Sequence, residues 1–264
     1  MAERTEDLDG QPVHWREDDH DGIPTVYLHG VPNSAEIWAP FIARTGGLAV
    51  DLPGFGRSGK RADLAYDIRF YDAWLERFMD WRELETINLV VHDWGAVGLV
   101  WAQRFPDRVN KLVVIDAVPL LPGYKAPAHV KALRTPVVGE LLVGAMSSRL
   151  IKLLLRGANV DKLPAEFFTS LLRDFDQGTQ RAILKLYRSV RPGTLETAGR
   201  NLLQIEAPAL VVWGAADPYL PAGLAISYAN ALGGETEIEV FDRAGHWPWA
   251  DRPEVIDRVA TFLA

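Results

Sequence analysis

The sequence predicts an α/β fold built on a mostly parallel, twisted sheet with flanking helices. Short β-branched runs, most of them apolar throughout, alternate along the chain with segments whose apolar residues recur at helical spacing. Continuous apolar runs indicate strands that are covered on both faces, which is typical of parallel sheets. The chain has 264 residues, 48% of them hydrophobic and 24% charged, which is ample for a large core and ordinary for a globular protein.

Six strands and four core helices are predicted in alternating order, which implies right-handed crossovers between neighbouring strands. The strands are predicted at residues 25–29, 48–50, 88–91, 112–115, 210–213 and 237–240. The helices are predicted at residues 71–84, 96–105, 222–232 and 255–263.

The alternation stops between residues 118 and 201, where strand-like runs disappear. Apolar residues there recur at helical spacing in segments 141–155, 165–175 and 179–190. We therefore predict a helical cap domain over 118–201 and a core domain formed by 1–117 and 202–264. A cap above the carboxyl ends of parallel strands buries a substrate site there.

Composition excludes several functional classes. The chain has no cysteine, which removes disulfides, thiolate metal sites and a cysteine nucleophile. With 28 basic and 35 acidic residues, the net charge of −7 gives nucleic acid no electrostatic reason to bind. No apolar run approaches the ~18 residues of a membrane span, and the acidic N-terminus is unlike a secretory signal. We expect a cytoplasmic monomer or homodimer that binds a small, uncharged substrate.

A glycine-rich segment at residues 54–59 matches the dinucleotide-binding fingerprint. Proline precedes it, however, and a polar segment follows where the helix of a dinucleotide fold would begin. Ser58 within this segment lacks the strand-to-helix context of a serine nucleophile. The sequence therefore predicts no cofactor, no metal and no serine esterase site.

Residues 88–96, Asn-Leu-Val-Val-His-Asp-Trp-Gly-Ala, form an apolar strand that continues directly into a glycine-opened helix. This is the context of a nucleophile elbow, with Asp93 at the position of the motif's serine. The motif has one glycine two residues after the nucleophile and another two residues before it. Gly95 matches the first of these, whereas Val91 stands in place of the second. Because Asp is also favoured at helix N-termini, Asp93 considered alone is equally typical of a structural cap.

This segment resembles the nucleophile elbow of the α/β-hydrolase superfamily, in its aspartate-nucleophile branch of epoxide hydrolases and haloalkane dehalogenases. The other marks of the family follow in order over nearly the whole chain: His-Gly-Val-Pro at 29–32, Asp-Leu-Pro-Gly-Phe-Gly-Arg-Ser at 51–58, Trp-Gly-Ala-Ala-Asp-Pro at 213–218 and Gly-His-Trp-Pro at 245–248. The resemblance implies an α/β-hydrolase fold with a helical cap inserted after the sixth strand. It also implies that Asp93, Asp217 and His246 are the nucleophile, acid and base.

The chemistry explains these residue types. A carboxylate that attacks an sp³ carbon forms an alkyl ester, whereas a serine would form an ether that water cannot cleave. His246, oriented by Asp217, would deprotonate a water that attacks the carboxyl carbon of Asp93. The resemblance implies that the backbone N–H groups of Val31 and Trp94 hold the resulting oxyanion.

Asp116, directly after the predicted strand 112–115, is an alternative to Asp217 as the acid that orients the histidine. Some enzymes of this branch supply the acid from that strand. We favour Asp217 because it lies in the family's late Trp-Gly-Ala-Ala-Asp-Pro segment.

The leaving group distinguishes the two activities of this branch. A halide needs N–H donors, typically an indole beside the nucleophile together with an Asn or a second Trp. Trp94 supplies the first donor, but Val31 occupies the position of the expected Asn, and no tryptophan lies between Trp101 and Trp213. Asn33 lies two residues beyond that position and keeps the haloalkane alternative open.

An opening epoxide forms an alkoxide, which a protonated tyrosine can stabilise. Tyr187 precedes Asp217 by thirty residues and resembles the ring-opening tyrosine of epoxide hydrolases, whereas Tyr124 lies earlier in the cap than expected for its partner. The sequence thus predicts an epoxide hydrolase acting on a small apolar epoxide. Haloalkane dehalogenase is the alternative, and a catalytically inactive ligand-binding member of the fold is the third hypothesis.

Overall fold

The computed structural model of the chain describes residues 1–19, 22–124 and 127–264. Its strands are β1 (Ala2–Leu8), β2 (Gln11–Asp18), β3 (Thr25–Leu28), β4 (Gly47–Val50), β5 (Ile87–Asp93), β6 (Val109–Ala117), β7 (Ala209–Gly214) and β8 (Thr236–Phe241). They form one sheet in the order β1-β2-β4-β3-β5-β6-β7-β8, in which β1, β2 and β4 pair antiparallel and all later pairs are parallel. The predicted fold class is confirmed.

The helices are α1 (Ala39–Thr45), α2 (Ile68–Trp81), α3 (Val97–Arg104), α4 (Ala128–Arg134), α5 (Val138–Gly144), α6 (Ser148–Leu154), α7 (Ala165–Arg173), α8 (Gln177–Ser189), α9 (Thr194–Ala198), α10 (Gly223–Ala231), α11 (Pro248–Asp251) and α12 (Glu254–Leu263). No helix among the described residues is both long and apolar enough to cross a membrane.

Helices cover both faces of the central strands, which explains the continuous apolar runs of these strands. Along β5, Leu89 and Val91 pack in the apolar cluster that contains residues of α2 and α3. Val90 points to the opposite face and packs in the cluster formed with α1 and α12. All seven residues of β5 are buried, so the strand that carries the predicted nucleophile lies at the centre of the core.

The first two strands are absent from the prediction. Six of the seven residues of β1 are exposed and most are polar, so this edge strand has no apolar run to recognise. The hairpin signal was present, however, because Asp9 and Gly10 connect β1 and β2 and both have positive φ angles. Asp-Gly is a favoured pair for such a two-residue turn.

Helices α4–α9, called the insertion helices below, lie between β6 and β7 where the cap is predicted. Two of the predicted helices correspond to α7 and α8. The single helix predicted at 141–155 is wrong, because the chain forms α5 and α6 with a break at 145–147. Ser147 accepts a hydrogen bond from the backbone N–H of Leu150 and begins α6 as an N-cap. Residues 125 and 126 of the predicted cap lie outside the described residues.

Lysine side chains hold the insertion helices against the core loop at residues 60–64. The Nζ of Lys60 donates to the backbone carbonyl of Asp174 at 2.7 Å, and the Nζ of Lys185 donates to that of Ala62 at 2.7 Å. These contacts fix α7 and α8 above the carboxyl end of the sheet, so the insertion forms one wall of any site at that end.

Candidate active site

Asp93 ends β5 in a strained backbone conformation, with φ of 48° and ψ of −120°. The following residues turn directly into a 3₁₀ turn and then α3, so the side chain projects from a sharp strand-to-helix bend. Gly95 is required there, since a Cβ at this position would lie 2.1 Å from the backbone oxygen of Leu28. Strain of this kind is concentrated at functional sites. Asp93 is therefore held in an elbow rather than placed as an ordinary helix cap, and its side chain makes no capping hydrogen bond.

Backbone N–H groups already contact the carboxylate of Asp93. The N–H of Val31 donates to Asp93 Oδ2 at 2.8 Å, and the N–H of Trp94 also hydrogen-bonds to this carboxylate. Gly30 permits this approach, because a Cβ there would lie 2.3 Å from Asp93 Oδ2. The two predicted oxyanion donors are thus positioned around one carboxyl group before any reaction occurs.

His246 and Asp217 form a hydrogen-bonded pair. His246 Nδ1 lies 2.8 Å from Asp217 Oδ2, and Asp217 Oδ1 accepts from the backbone N–H groups of Tyr219 and Leu220 at 2.7 and 3.1 Å. Because Asp217 accepts all three of these hydrogen bonds, it acts as a carboxylate, and His246 carries its proton at Nδ1. The Nε2 atom of His246 is then the basic position of the ring.

Two further contacts fix the loop that carries His246. Its backbone N–H donates to the carbonyl of Ala158 in the insertion at 2.8 Å, and its carbonyl accepts from the Nε2 of His92 at 2.8 Å. Asp251 accepts hydrogen bonds from Gly245 N–H and from the side chain of Asn159, which joins the same loop to the insertion. Sequence reasoning missed Asn159 and Asp251, since neither lies in a recognisable motif.

Burial and the charges of the site shift the pKa values of Asp93 and His246. Burial raises the pKa of Asp93 to about 6, although His246 and the N–H groups of Val31 and Trp94 oppose that rise. Burial lowers the pKa of His246, but the charge and hydrogen bond of Asp217 and the charge of Asp93 outweigh it, so the net shift is upward. Both groups are therefore ionisable near neutral pH.

Asp116, the alternative acid, hydrogen-bonds to Asp217 and to the backbone of β7. It ends the apolar part of β6 with a φ of 37° and is fully buried. Its carboxyl accepts from the N–H of Gly214 at 3.1 Å and hydrogen-bonds to the side chain of Asp217. Of the two acids, only Asp217 hydrogen-bonds directly to His246 in the structure.

Asp93 and His246 line a cavity of about 190 Å³ between the sheet and the insertion helices. Its walls are mainly apolar, with Leu133, Ile151 and Ile183 contributed by the insertion. Such a cavity suits a small, apolar substrate with its reactive carbon directed at Asp93.

Three tyrosines line this cavity, including both of those predicted. Tyr187 packs edge-on against Trp94, with ring centroids 5.4 Å apart, and the indole N–H of Trp94 donates to its phenol oxygen. Tyr124 is half-buried in the same cavity, where burial raises its pKa to about 12. Tyr219, which sequence reasoning missed, packs edge-on against His246 at 5.1 Å. Its position two residues after Asp217 could have indicated that it lies near the site.

Asn33 was the candidate asparagine donor for a halide, but the structure does not place it at the cavity. It is buried at 2% exposure, and it is not one of the residues that line the cavity around Asp93. Val31, at the position of the expected Asn, lines the cavity instead. A halide held here would have the Trp94 indole as a donor but no asparagine beside it.

Comparisons with known proteins agree with the fold. Residues 25–259 match the model of the alpha/beta hydrolase family. A haloalkane dehalogenase of Agrobacterium fabrum is 37% identical over 134 residues, which span 46% of this chain and 43% of that relative. A 2-hydroxy-6-oxononadienedioate/2-hydroxy-6-oxononatrienedioate hydrolase of Paraburkholderia phymatum is 27% identical over 89% of this chain and 84% of its own. The chain thus spans less than half of the dehalogenase.

The structure is similar to that of a loop variant of the haloalkane dehalogenase DbeA from Bradyrhizobium elkanii. The TM-score is 0.85 at 22% identity, with 99% of this chain and 96% of that chain covered. At this level of identity the similarity extends to the fold alone.

Proposed function

We propose that this chain, which belongs to the alpha/beta hydrolase family, is a hydrolase that cleaves a bond at an sp³ carbon through an ester on Asp93. The observation that carries the proposal is the position of the Asp93 carboxylate. It lies in a strained elbow, in contact with the N–H groups of Val31 and Trp94, and it faces an apolar cavity shared with His246. The proposal includes the division into a core and a cap over residues 118–201.

In the first step, a carboxylate oxygen of Asp93 attacks the substrate carbon as the leaving group departs with the bonding electrons. In the second step, His246 Nε2 takes a proton from water, and the water oxygen bonds to the carboxyl carbon of Asp93. The N–H groups of Val31 and Trp94 stabilise the tetrahedral oxyanion. Its collapse releases an alcohol and restores the Asp93 carboxylate, and His246 returns its proton to solvent.

A haloalkane is the proposed substrate class. The names of related proteins support it, since two relatives that are 37% and 39% identical, each over 46% of this chain, are haloalkane dehalogenases. The relatives named above support a haloalkane dehalogenase better than the epoxide hydrolase that the sequence predicts. Because Asn33 does not line the cavity, we propose that the Trp94 indole leaves the Tyr187 oxygen when substrate binds, and that the indole N–H and the Tyr187 phenol both donate to the departing halide.

Epoxide opening remains a second candidate because of one specific observation. The phenols of Tyr187 and Tyr124 line the same cavity as the Asp93 carboxylate, and burial raises the pKa of both, so each stays protonated at neutral pH. A protonated phenol can give its proton to the alkoxide of an opened ring. The product would then be a vicinal diol rather than an alcohol and a halide ion.

Turnover of matched substrates tests the choice. The purified chain is assayed with 1-bromobutane and with 1,2-epoxybutane, with halide ion and diol measured as products. We expect faster halide release. Faster diol release would transfer the assignment to the epoxide candidate. Reversible binding of both compounds with no Asp93 adduct by mass spectrometry would favour a ligand-binding protein.

Tyr187→Phe is expected to affect the two reactions unequally. Loss of a positioned proton donor costs ~10²–10⁴-fold, so opening of the epoxide should slow by about that factor. A halide leaves without a proton, and loss of one hydrogen bond should slow ester formation from bromobutane only ~10-fold. The rates are measured in single turnovers, with Tyr124→Phe as the matched variant. Equal slowing of both substrates would contradict the role given to the phenol.

The two chemical steps should differ in their pH dependence. Ester formation requires ionised Asp93, and should therefore fall as the pH drops through about 6. Ester hydrolysis requires neutral His246, whose pKa is raised partly by the Asp93 charge. The ester of Asp93 carries no such charge. The apparent pKa at which hydrolysis falls off should therefore lie below the His246 pKa of the free protein. Single-turnover rates across neutral pH, followed with histidine NMR titration, check both positions; a hydrolysis limb above the free His246 pKa would contradict this argument.

A further inference from the structure

Asp116 hydrogen-bonds to Asp217, the acid that contacts His246, and the surroundings of the two acids differ. Asp217 accepts three hydrogen bonds, from His246 Nδ1 and from the N–H groups of Tyr219 and Leu220. Asp116 accepts from a single N–H, that of Gly214, at 3.1 and 3.3 Å from its two oxygens. The side chain of Asp116 also hydrogen-bonds to that of Asp217. Two carboxylates in contact in a buried site cannot both be ionised without a large cost.

The proton between them belongs on Asp116. Asp217 has three donors for its two oxygens, and the imidazole favours a negative charge there. Asp116 has no Lys or Arg ion pair in the described part of the chain, and the charges of Asp217 and Asp93 disfavour a second negative charge there. Burial, followed by the charge of Asp217, raises the pKa of Asp116 well above its ordinary value.

We propose that Asp116 is a positioning residue, a neutral carboxylic acid whose O–H donates to the Asp217 carboxylate and holds it toward His246. This role rests on the proposed function of the Asp93, His246 and Asp217 set. It differs from the role considered for Asp116 from sequence, in which an ionised Asp116 would replace Asp217. The left-handed backbone of Asp116, with φ of 37°, bends the end of β6 and places the acid beside β7.

Two substitutions of Asp116 test whether its side chain acts as a hydrogen-bond donor to Asp217. Asn can donate an N–H in place of the acid O–H, so Asp116→Asn should retain ester hydrolysis within about threefold of the unmodified chain. Asp116→Ala has no donor, and loss of a hydrogen bond to a charged group should slow hydrolysis ~10- to 100-fold, with a smaller effect on ester formation. With the donor lost, the charge on Asp217 is less dispersed. The pKa of His246 should then rise in the Ala variant and stay unchanged in the Asn variant.

Infrared spectroscopy reads the proton directly and requires no turnover. At about pH 8, the C=O stretch of a protonated carboxylic acid should be present in the unmodified chain, persist in Asp93→Ala and disappear in Asp116→Asn. Absence of that band, or its persistence in the folded Asn variant, would overturn the proposal. So would a loss of hydrolysis in Asp116→Asn equal to that in Asp116→Ala. If no substrate forms an ester on Asp93, the proposed function fails, yet the infrared result still decides where this proton lies.

Discussion

Replacing His246 with Gln should leave the chain with one substrate fragment bound covalently to Asp93 and should reduce steady-state turnover by about 10⁵-fold or more. The reason is that the two chemical steps depend on different residues of the site. Ester formation needs the Asp93 carboxylate, which the substitution leaves in contact with Val31 and Trp94. Hydrolysis needs a base at the Nε2 position, which Gln does not provide. Mass spectrometry after brief mixing with 1-bromobutane would measure one butyl group on the peptide that contains Asp93.

Asp93→Ala is the matched control, because it should remove both the adduct and turnover while His246 and Asp217 stay in place. A single turnover of the unmodified chain in water enriched in heavy oxygen provides a second check. The ester mechanism requires the new oxygen to enter Asp93 during hydrolysis, so the first alcohol released carries an unlabelled oxygen. A labelled alcohol in the first turnover, with no label in Asp93, would indicate direct attack by water.

The positions of the proposed nucleophile and base could be predicted because they follow from local sequence. The apolar run at residues 88–91 is typical of a buried strand, and Gly95 is the residue that the following turn needs. Order along the chain then placed Asp217 and His246 at the ends of later strands, at the same edge of the sheet. The family membership and the fold class that follow from these motifs are confirmed.

The choice of substrate was less accessible from sequence, because it depends on contacts across the insertion. The Trp94 indole meets the phenol of Tyr187 on α8, a contact between residues far apart in the chain. Tyr219 lines the cavity from the loop after β7, where its backbone N–H donates to Asp217. Counting from Asp217 located Tyr187 but gave no information on which side chain its oxygen contacts.

Asp217 was separated from Asp116 by geometry that no single segment encodes. Asp116 lies near the end of β6 and Asp217 follows β7, and these neighbouring strands bring the two carboxyls into hydrogen-bond contact. A local sequence therefore cannot decide which of them contacts the ring. In the structure the loop after β7 supplies two N–H donors to Asp217, which contacts His246, whereas Asp116 accepts from the backbone N–H of Gly214.

Asp217→Asn should consequently have the largest effect of any change at these two acids. An amide at this position leaves the geometry nearly intact but no longer stabilises the protonated imidazole, and its N–H group opposes the Nδ1–H of His246. The equivalent change in the serine triad costs ~10⁴-fold, and we expect a similar loss in the rate of ester hydrolysis. Ester formation should change much less, so the Asp93 adduct should accumulate during turnover.

The measurement is the ratio of the single-turnover rates of ester formation and ester hydrolysis in Asp217→Asn. Asp116→Asn, the same substitution at the neighbouring acid, is the matched variant. The folded state of both is checked by circular dichroism, since each replaces a buried acid. If His246 takes its orientation from Asp217, the adduct accumulates in the first variant and not in the second. The reverse pattern, with near-normal hydrolysis in Asp217→Asn and a trapped ester in Asp116→Asn, would mean that an ionised Asp116 reaches the ring when substrate is bound. In that case the contact at 2.8 Å between Asp217 and His246 would belong to the resting site only.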